Sequence, residues 1–222
     1  MAPLLPPSTT RTVIVLIDIQ QGLTHPTHWG PERSTPSFES NVSRVLQSVR
    51  QYNQRQPETP ILIIHVHNHS TRESSPLHPT YILQDAGSGG AVCHGVQPMQ
   101  CAEPSPSEPV LIKNVNSAFI GTGLEARLRA FKAQQLIMLG LSTDECVSTS
   151  VRMAANLKVL ADVEGISNES RIVVLRDATA AWAKGGYDAE TVHGVHLASL
   201  DEEFASVALT LDVVGALMQT GA

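Results

Sequence analysis

The chain is punctuated by short apolar runs with no polar alternation. They fall at residues 12–17 (TVIVLI), 61–66 (ILIIHV), 110–113 (VLIK), 136–139 (LIML), 172–175 (IVVL) and 206–211 (SVALTL). Runs of four to six residues rich in Val and Ile read as strands buried on both faces. Between them the apolar positions change period. Val42, Val45, Leu46 and Val49 mark one face of a helix over residues 38–55. Residues 124–131, 144–157 and 189–204 read as further helices, with a short one at the C-terminus. Strands alternating with helices imply right-handed βαβ crossovers and a parallel sheet covered on both faces.

A length of 222 residues suits one α/β domain spanning 1–222, with the proline-containing residues 1–10 as a flexible N-terminal segment. Hydrophobic residues make up 42% of the chain, enough for a sizeable core. The net charge of −6, without a Lys/Arg cluster, gives no basis for a nucleic-acid or anionic-membrane partner. Residues 1–10 lack the basic flank and apolar run of a signal peptide, and no apolar stretch is long enough to span a bilayer. Cys93, Cys101 and Cys146 are odd in number and irregularly spaced, so neither a disulfide framework nor a zinc site is indicated. These features lead to an expectation of a soluble, cytoplasmic protein with reduced thiols. Residues 68–109 and 160–170 fit the alternation poorly and read as a long loop and an insertion.

Parallel α/β sheets carry their sites at the carboxyl ends of the strands. Asp18 ends the first run, Lys113 ends the third, and Cys146 follows the fourth, just inside a helix. The bland reading of each is available: a strand-end charge reaching solvent, or a Cys packed as a small hydrophobe. Together they form a working set. Ser142 or Thr143 can cap the helix, and its dipole favours a thiolate at Cys146. Glu145 opposes this, as a neighbouring negative charge raises a thiol pKa. A carboxylate can take and return the thiol proton, and an ammonium supports both anions.

Five ordered blocks, VIVLIDIQQG, VLIKNVNSAFIGTGLEARLRAF, LIMLGLSTDECVSTSVRMAANL, VLRDATAAW and ETVHGVHLASLDEEFASV, resemble the isochorismatase-like cysteine hydrolases. The resemblance covers most of the chain and is weakest over residues 70–109 and 160–170. It implies a three-layer Rossmann-like fold with a mostly parallel six-stranded sheet flanked by helices, and a homo-oligomer, a dimer or tetramer. It implies a catalytic triad of Asp18, Lys113 and Cys146. It also implies a cis peptide at Leu141–Ser142 and an oxyanion hole from the amides of Ser142 and Cys146. The Cys points to amidase-type cleavage of a carboxamide, ureide or lactam. Vinyl-ether hydrolysis with Asp18 as general acid is the alternative reaction, and a non-catalytic binding scaffold the alternative class. The segments HWGPERSTP, HNHSTRESSPLHP and NVNSAFIGT look most like a subgroup that includes streptothricin-hydrolase-like enzymes.

Candidate substrate-binding residues are Trp29, His67, Asn116, Ser117 and Phe119, each with a packing or turn-forming alternative. His65, His67 and His69 alternate and can share a face, but no acidic residue accompanies them, so no metal is expected. His193 and His196 read as surface or packing residues. GSGG at 87–90 and GTGLEA from Gly121 lack a full dinucleotide fingerprint, so no cofactor is expected, only a small-molecule substrate.

Overall fold

A computed structural model describes residues 4–83 and 92–218. The first apolar run forms β1 (Thr12–Ile17), buried at every position. It is followed by α1 (Phe38–Arg55), β2 (Leu62–Asn68), an antiparallel pair of β3 (Ile82–Leu83) and β4 (Cys93–His94), and β5 (Val110–Lys113). Then come α2 (Leu124–Phe131), β6 (Gln135–Leu141), α3 (Ser148–Leu157), β7 (Ile172–Ala180), α4 (Ala189–Ala198), β8 (Ser206–Ala208) and α5 (Thr210–Met218).

The main sheet has six strands in the order β5-β2-β1-β6-β7-β8, and all its pairings are parallel. β1 serves both sheet faces because its side chains alternate. Ile14 and Leu16 pack with Val42, Val45, Leu46 and Val49 of α1 and with Val213 of α5. Val13, Val15 and Ile17 pack with Leu124 and Leu128 of α2, Val151 of α3 and Leu197 of α4. The chain runs outward from β1 through β2 to β5, then returns to β1's other side with β6. The topological switch point therefore lies between β1 and β6, where a crevice opens at the strand ends.

Several boundaries differ from the local pattern for identifiable reasons. β2 continues past Val66 because His67 and Asn68 pair with Ile112 and Lys113. The helix expected to run to residue 204 ends at Ala198, and residues 200–205 form turns that bury Leu200. The last strand stops at Ala208. There Asp177 accepts hydrogen bonds from the Thr210 amide and hydroxyl, both at 2.8 Å, and α5 begins. Residues 160–170 make a turn with a Val163–Ile166 bridge. Arg171 ties this segment down by donating to the carbonyls of Ala161 and Gln134, each at 2.7 Å. In the N-terminal segment expected to be flexible, Leu5 exchanges hydrogen bonds with the Gln135 side chain at 2.8 and 3.1 Å. The GSGG motif at 87–90 lies outside the described residues. No described helix is long and apolar enough to cross a membrane.

Candidate active site

β1 ends in a sharp change of direction. Asp18 takes a left-handed conformation, φ 53°, which Asp tolerates better than most residues, and its amide donates to Val66 O at 2.8 Å. Beside it, Gly140 of β6 has φ 130°, and a Cβ there would stand 2.0 Å from Ile17 O. Glycine is thus required for β6 to lie this close to β1. The β6–β7 register shifts between Met138 and Gly140, placing an irregularity next to the crevice.

The Leu141–Ser142 peptide is cis. The chain then forms a π-type turn over Thr143–Val147 rather than entering an α-helix directly at 144. Ser142 O accepts from the amides of Glu145 (3.2 Å) and Val147 (3.0 Å). Cys146 sits on this turn, and Ser150 fastens it. The Ser150 hydroxyl donates to Cys146 O at 2.6 Å and accepts from the Ala118 amide at 2.9 Å, linking the turn to the loop after β5.

Asp18, Lys113 and Cys146 meet at the switch point. Lys113 Nζ donates to Asp18 Oδ2 at 2.6 Å, to Cys146 Sγ at 3.3 Å and to Val115 O at 3.1 Å. All three side chains are buried, at 1%, 2% and 7% exposure for Asp18, Lys113 and Cys146. Asp18 Oδ1 is buried without a hydrogen-bond partner among the described residues. Burial pushes the Asp18 carboxyl up, against the opposing charge of Lys113. Burial alone would lower Lys113, but the neighbouring Asp18 and Cys146 outweigh it, and its pKa is raised. The Cys146 thiol is pushed up by burial and then by the Asp18 charge, with Lys113 acting against both. Desolvation and the Asp18 charge thus work against the helix dipole at Cys146.

The crevice is a cavity of about 380 Å³, within the range for small-molecule sites. Asp18, Ser142 and Cys146 line it, as do Trp29 and Asn116. The Trp29 indole donates to Gly22 O at 2.8 Å, and its ring lies 6.1 Å from that of Trp182, which also lines the cavity. The other three candidates for substrate contact do not line it. Ser117 is buried with its hydroxyl accepting from the Phe119 amide, and Phe119 packs in the core beside Val147 and Val151. His67 is buried within β2, beside His65 at a ring-centroid distance of 6.3 Å. His65 in turn shares a 2.9 Å hydrogen bond with Glu108.

Other cavity residues are Asn68 at the end of β2 and, from the loop after it, where the sequence has no periodicity, Ser70, Arg72 and Leu77. Gly22 and Gly95 hold this loop close. A Cβ on either would meet Pro76 O, at 2.4 Å and 1.7 Å. His193 is a further residue that hydropathy misplaces. It is 2% exposed, with Nε2 donating to Arg176 O at 3.0 Å and Nδ1 accepting from the Thr143 hydroxyl at 2.8 Å.

The fold and site define a parallel α/β protein with a buried Asp, Lys and Cys converging at the switch point of its sheet. The family model for the isochorismatase domain matches residues 12–207, and the chain belongs to the isochorismatase family of hydrolases. YrdC of Bacillus subtilis, an uncharacterised isochorismatase family protein, is 30% identical over 210 residues, covering 95% of this chain and 98% of that protein. A crystal structure from Chromobacterium violaceum assigned to the same family is 32% identical, covers 98% of each chain and superposes with a TM-score of 0.76. A cysteine hydrolase from Pseudomonas syringae pv. phaseolicola has the same fold, with a TM-score of 0.71 at 20% identity over 98% of this chain and 95% of that one.

Proposed function

We propose that this chain is a cysteine hydrolase that cleaves a C–N bond of a small carboxamide, ureide or lactam through a thioester on Cys146, with no metal in the mechanism. The observation that carries this reading is Lys113 Nζ bridging Asp18 Oδ2 and Cys146 Sγ inside a buried crevice. Asp18, with its raised pKa, is a stronger base than an ordinary carboxylate. It takes the Cys146 proton as the sulfur bonds to the substrate carbonyl. Lys113 offsets the negative charge transferred from carboxylate to sulfur and on to substrate. First-turn amides have no partner within a helix, so those of Ser142 and Cys146 are the candidates to hold the oxyanion. As the tetrahedral intermediate collapses, the C–N bond breaks and Asp18 returns the proton to the departing nitrogen. Water then attacks the thioester while Asp18 accepts its proton. Breaking of the C–S bond, with the proton passed back to sulfur, restores the thiol.

The test is a panel of small amides, ureides and lactams, read by ammonia or amine release and by intact mass after acid quench. An acyl adduct mapped to Cys146, with turnover lost in both Cys146→Ala and Cys146→Ser, is the expected result. Full turnover in both variants would overturn the assignment. The raised pKa of Asp18 also favours a second reading, in which Asp18 is a general acid on an enol ether. In that case turnover of the enol ether survives in Cys146→Ala.

A further inference from the structure

We propose that the substrate carries a carboxylate in addition to the scissile group, and that Arg72 is its anchor. This rests on the cysteine-hydrolase reading and names the substrate class of the same site. Arg72 lines the cavity that also contains Cys146. Its guanidinium has no hydrogen-bond or ion-pair partner among the described residues, and the bonds Arg72 makes are main-chain ones: its amide donates to Ser70 Oγ at 3.1 Å and its carbonyl accepts from the Ser75 amide at 3.0 Å. The adjacent Glu73 is exposed, does not line the cavity and makes no ion pair with it.

The other charged lining groups are engaged. Asp18 is held by Lys113. Glu145 is held by Lys184 at 2.9 Å, and the same ammonium pairs with Asp144. His28 is held below its ordinary pKa by partial burial and by His25, which disfavours a charge on it. Arg72 is thus the cavity's one cation, among the described residues, that has no protein counter-charge. The guanidinium fork matches a carboxylate through two parallel N–H donors.

The distribution of charge orients the ligand. Next to Cys146, Glu145 and Asp144 share one ammonium, so that neighbourhood holds an excess negative charge and disfavours a second carboxylate there. A neutral amide suits the end at Cys146, and the anionic end suits the loop bearing Arg72. The loop is held at both flanks of Arg72. Its Ser70 amide donates to Leu77 O at 2.9 Å, and the close approach of Gly22 and Gly95 to Pro76 leaves it no slack.

The experiment uses Cys146→Ala protein, so that binding is read without turnover and without reliance on the nucleophile. Calorimetry compares succinamate, glutaramate and adipamate with their neutral diamides at low salt. At least one ω-amido carboxylate is expected to bind about tenfold or more tighter than its diamide, the scale of one charge-assisted bidentate pair. Arg72→Gln should bring the two within about twofold, and Arg72→Lys should retain part of the difference. A preference that is absent across the series, or that survives in Arg72→Gln, overturns the inference. Failure of wild-type protein to release ammonia from a carboxylate-bearing amide that binds in this way overturns the cysteine-hydrolase reading and leaves the anchor standing.

Discussion

The Thr143 hydroxyl donates to His193 Nδ1 at 2.8 Å, and the opposite nitrogen of the same ring donates to Arg176 O at 3.0 Å. A neutral imidazole with its proton on Nε2 satisfies both partners, and burial keeps His193 below its ordinary pKa. The ring therefore clamps the turn carrying Cys146 to β7, and His193 is a positioning residue. His193→Leu leaves a buried hydroxyl and carbonyl unsatisfied and should cost about 1–3 kcal/mol each. Its kcat should fall with KM little changed, because the nucleophile is displaced while the cavity wall remains. His193→Gln, which can supply a donor and an acceptor, should recover part of kcat. Equal kcat in wild type and His193→Leu would reduce the histidine to packing.

The Asp18–Lys113 pair is buried on both sides, so removing one partner strands the other. Asp18→Asn or Lys113→Met alone should cost about 3–5 kcal/mol, measured by denaturant unfolding. The double variant should be more stable than either single variant, because no unpaired charge remains. All three should be inactive. A double variant whose loss equals the sum of the single losses would show that the pair is not coupled.

The raised Asp18 pKa predicts the acid limb of the proposed reaction. The proposed thioester route needs the Asp18 carboxylate, so kcat/KM should fall as pH drops through the raised value, above the ordinary Asp value of about 3.9. The Cys146 thiol is also raised, so no ordinary thiol ionisation should appear as a rise in rate near pH 8.5. Initial rates from pH 4 to 9, with far-UV circular dichroism to confirm folding at each pH, check both expectations. A single rise near pH 8.5 would indicate an unassisted thiol.

The catalytic candidates are legible in the sequence because each is tied to an apolar run by a few residues: Asp18 and Lys113 as strand ends, Cys146 at the start of the next helix. The cavity wall is not legible in this way. Arg72, Ser70 and Leu77 sit on a loop with no period, held by long-range packing of Gly22 and Gly95 against Pro76. β2 extends through His67, beyond the apolar run that ends at Val66, because β5, over forty residues later, pairs with it. On α4 two positions invert the hydropathy pattern, with Val195 62% exposed and His193 2% exposed, while Val192 and Leu197 are buried as expected. Hydrophobicity alone assigns the wrong residue to the interior, and only the polar partners of His193 show why it is there.

Gly140 supplies a test of how the site is held. Its φ of 130° and the 2.0 Å approach of a Cβ to Ile17 O put Gly140→Ala in conflict with backbone, not with a side chain that can turn away. The strain and the clash together should cost at least about 3 kcal/mol. Relief requires β6 to move from β1 directly before Asp18 and Ser142. Any folded Gly140→Ala protein should therefore lose activity more than Gly121→Ala, where a Cβ meets nothing within 4 Å and only the positive φ of 72° is strained. Similar activity in the two variants would mean that the site does not depend on the β1–β6 approach.

His67 makes the fold itself pH-dependent. Burial, with His65 and His69 nearby, lowers its pKa to about 4. The unfolded chain binds a proton at about pH 6.5 that the folded chain refuses until about pH 4, so stability rises with pH across this window. It is complete above pH 6.5 and lost progressively as pH falls, by an amount on the order of 3 kcal/mol for this residue. His65, His69 and His193 are shifted in the same direction and steepen the loss. His67→Phe removes one of these protons while keeping an aromatic ring between β1 and β5. Urea midpoints measured between pH 4 and 7 should vary less steeply for His67→Phe than for wild type. Parallel slopes would show that the buried ring is not what makes the fold acid-sensitive.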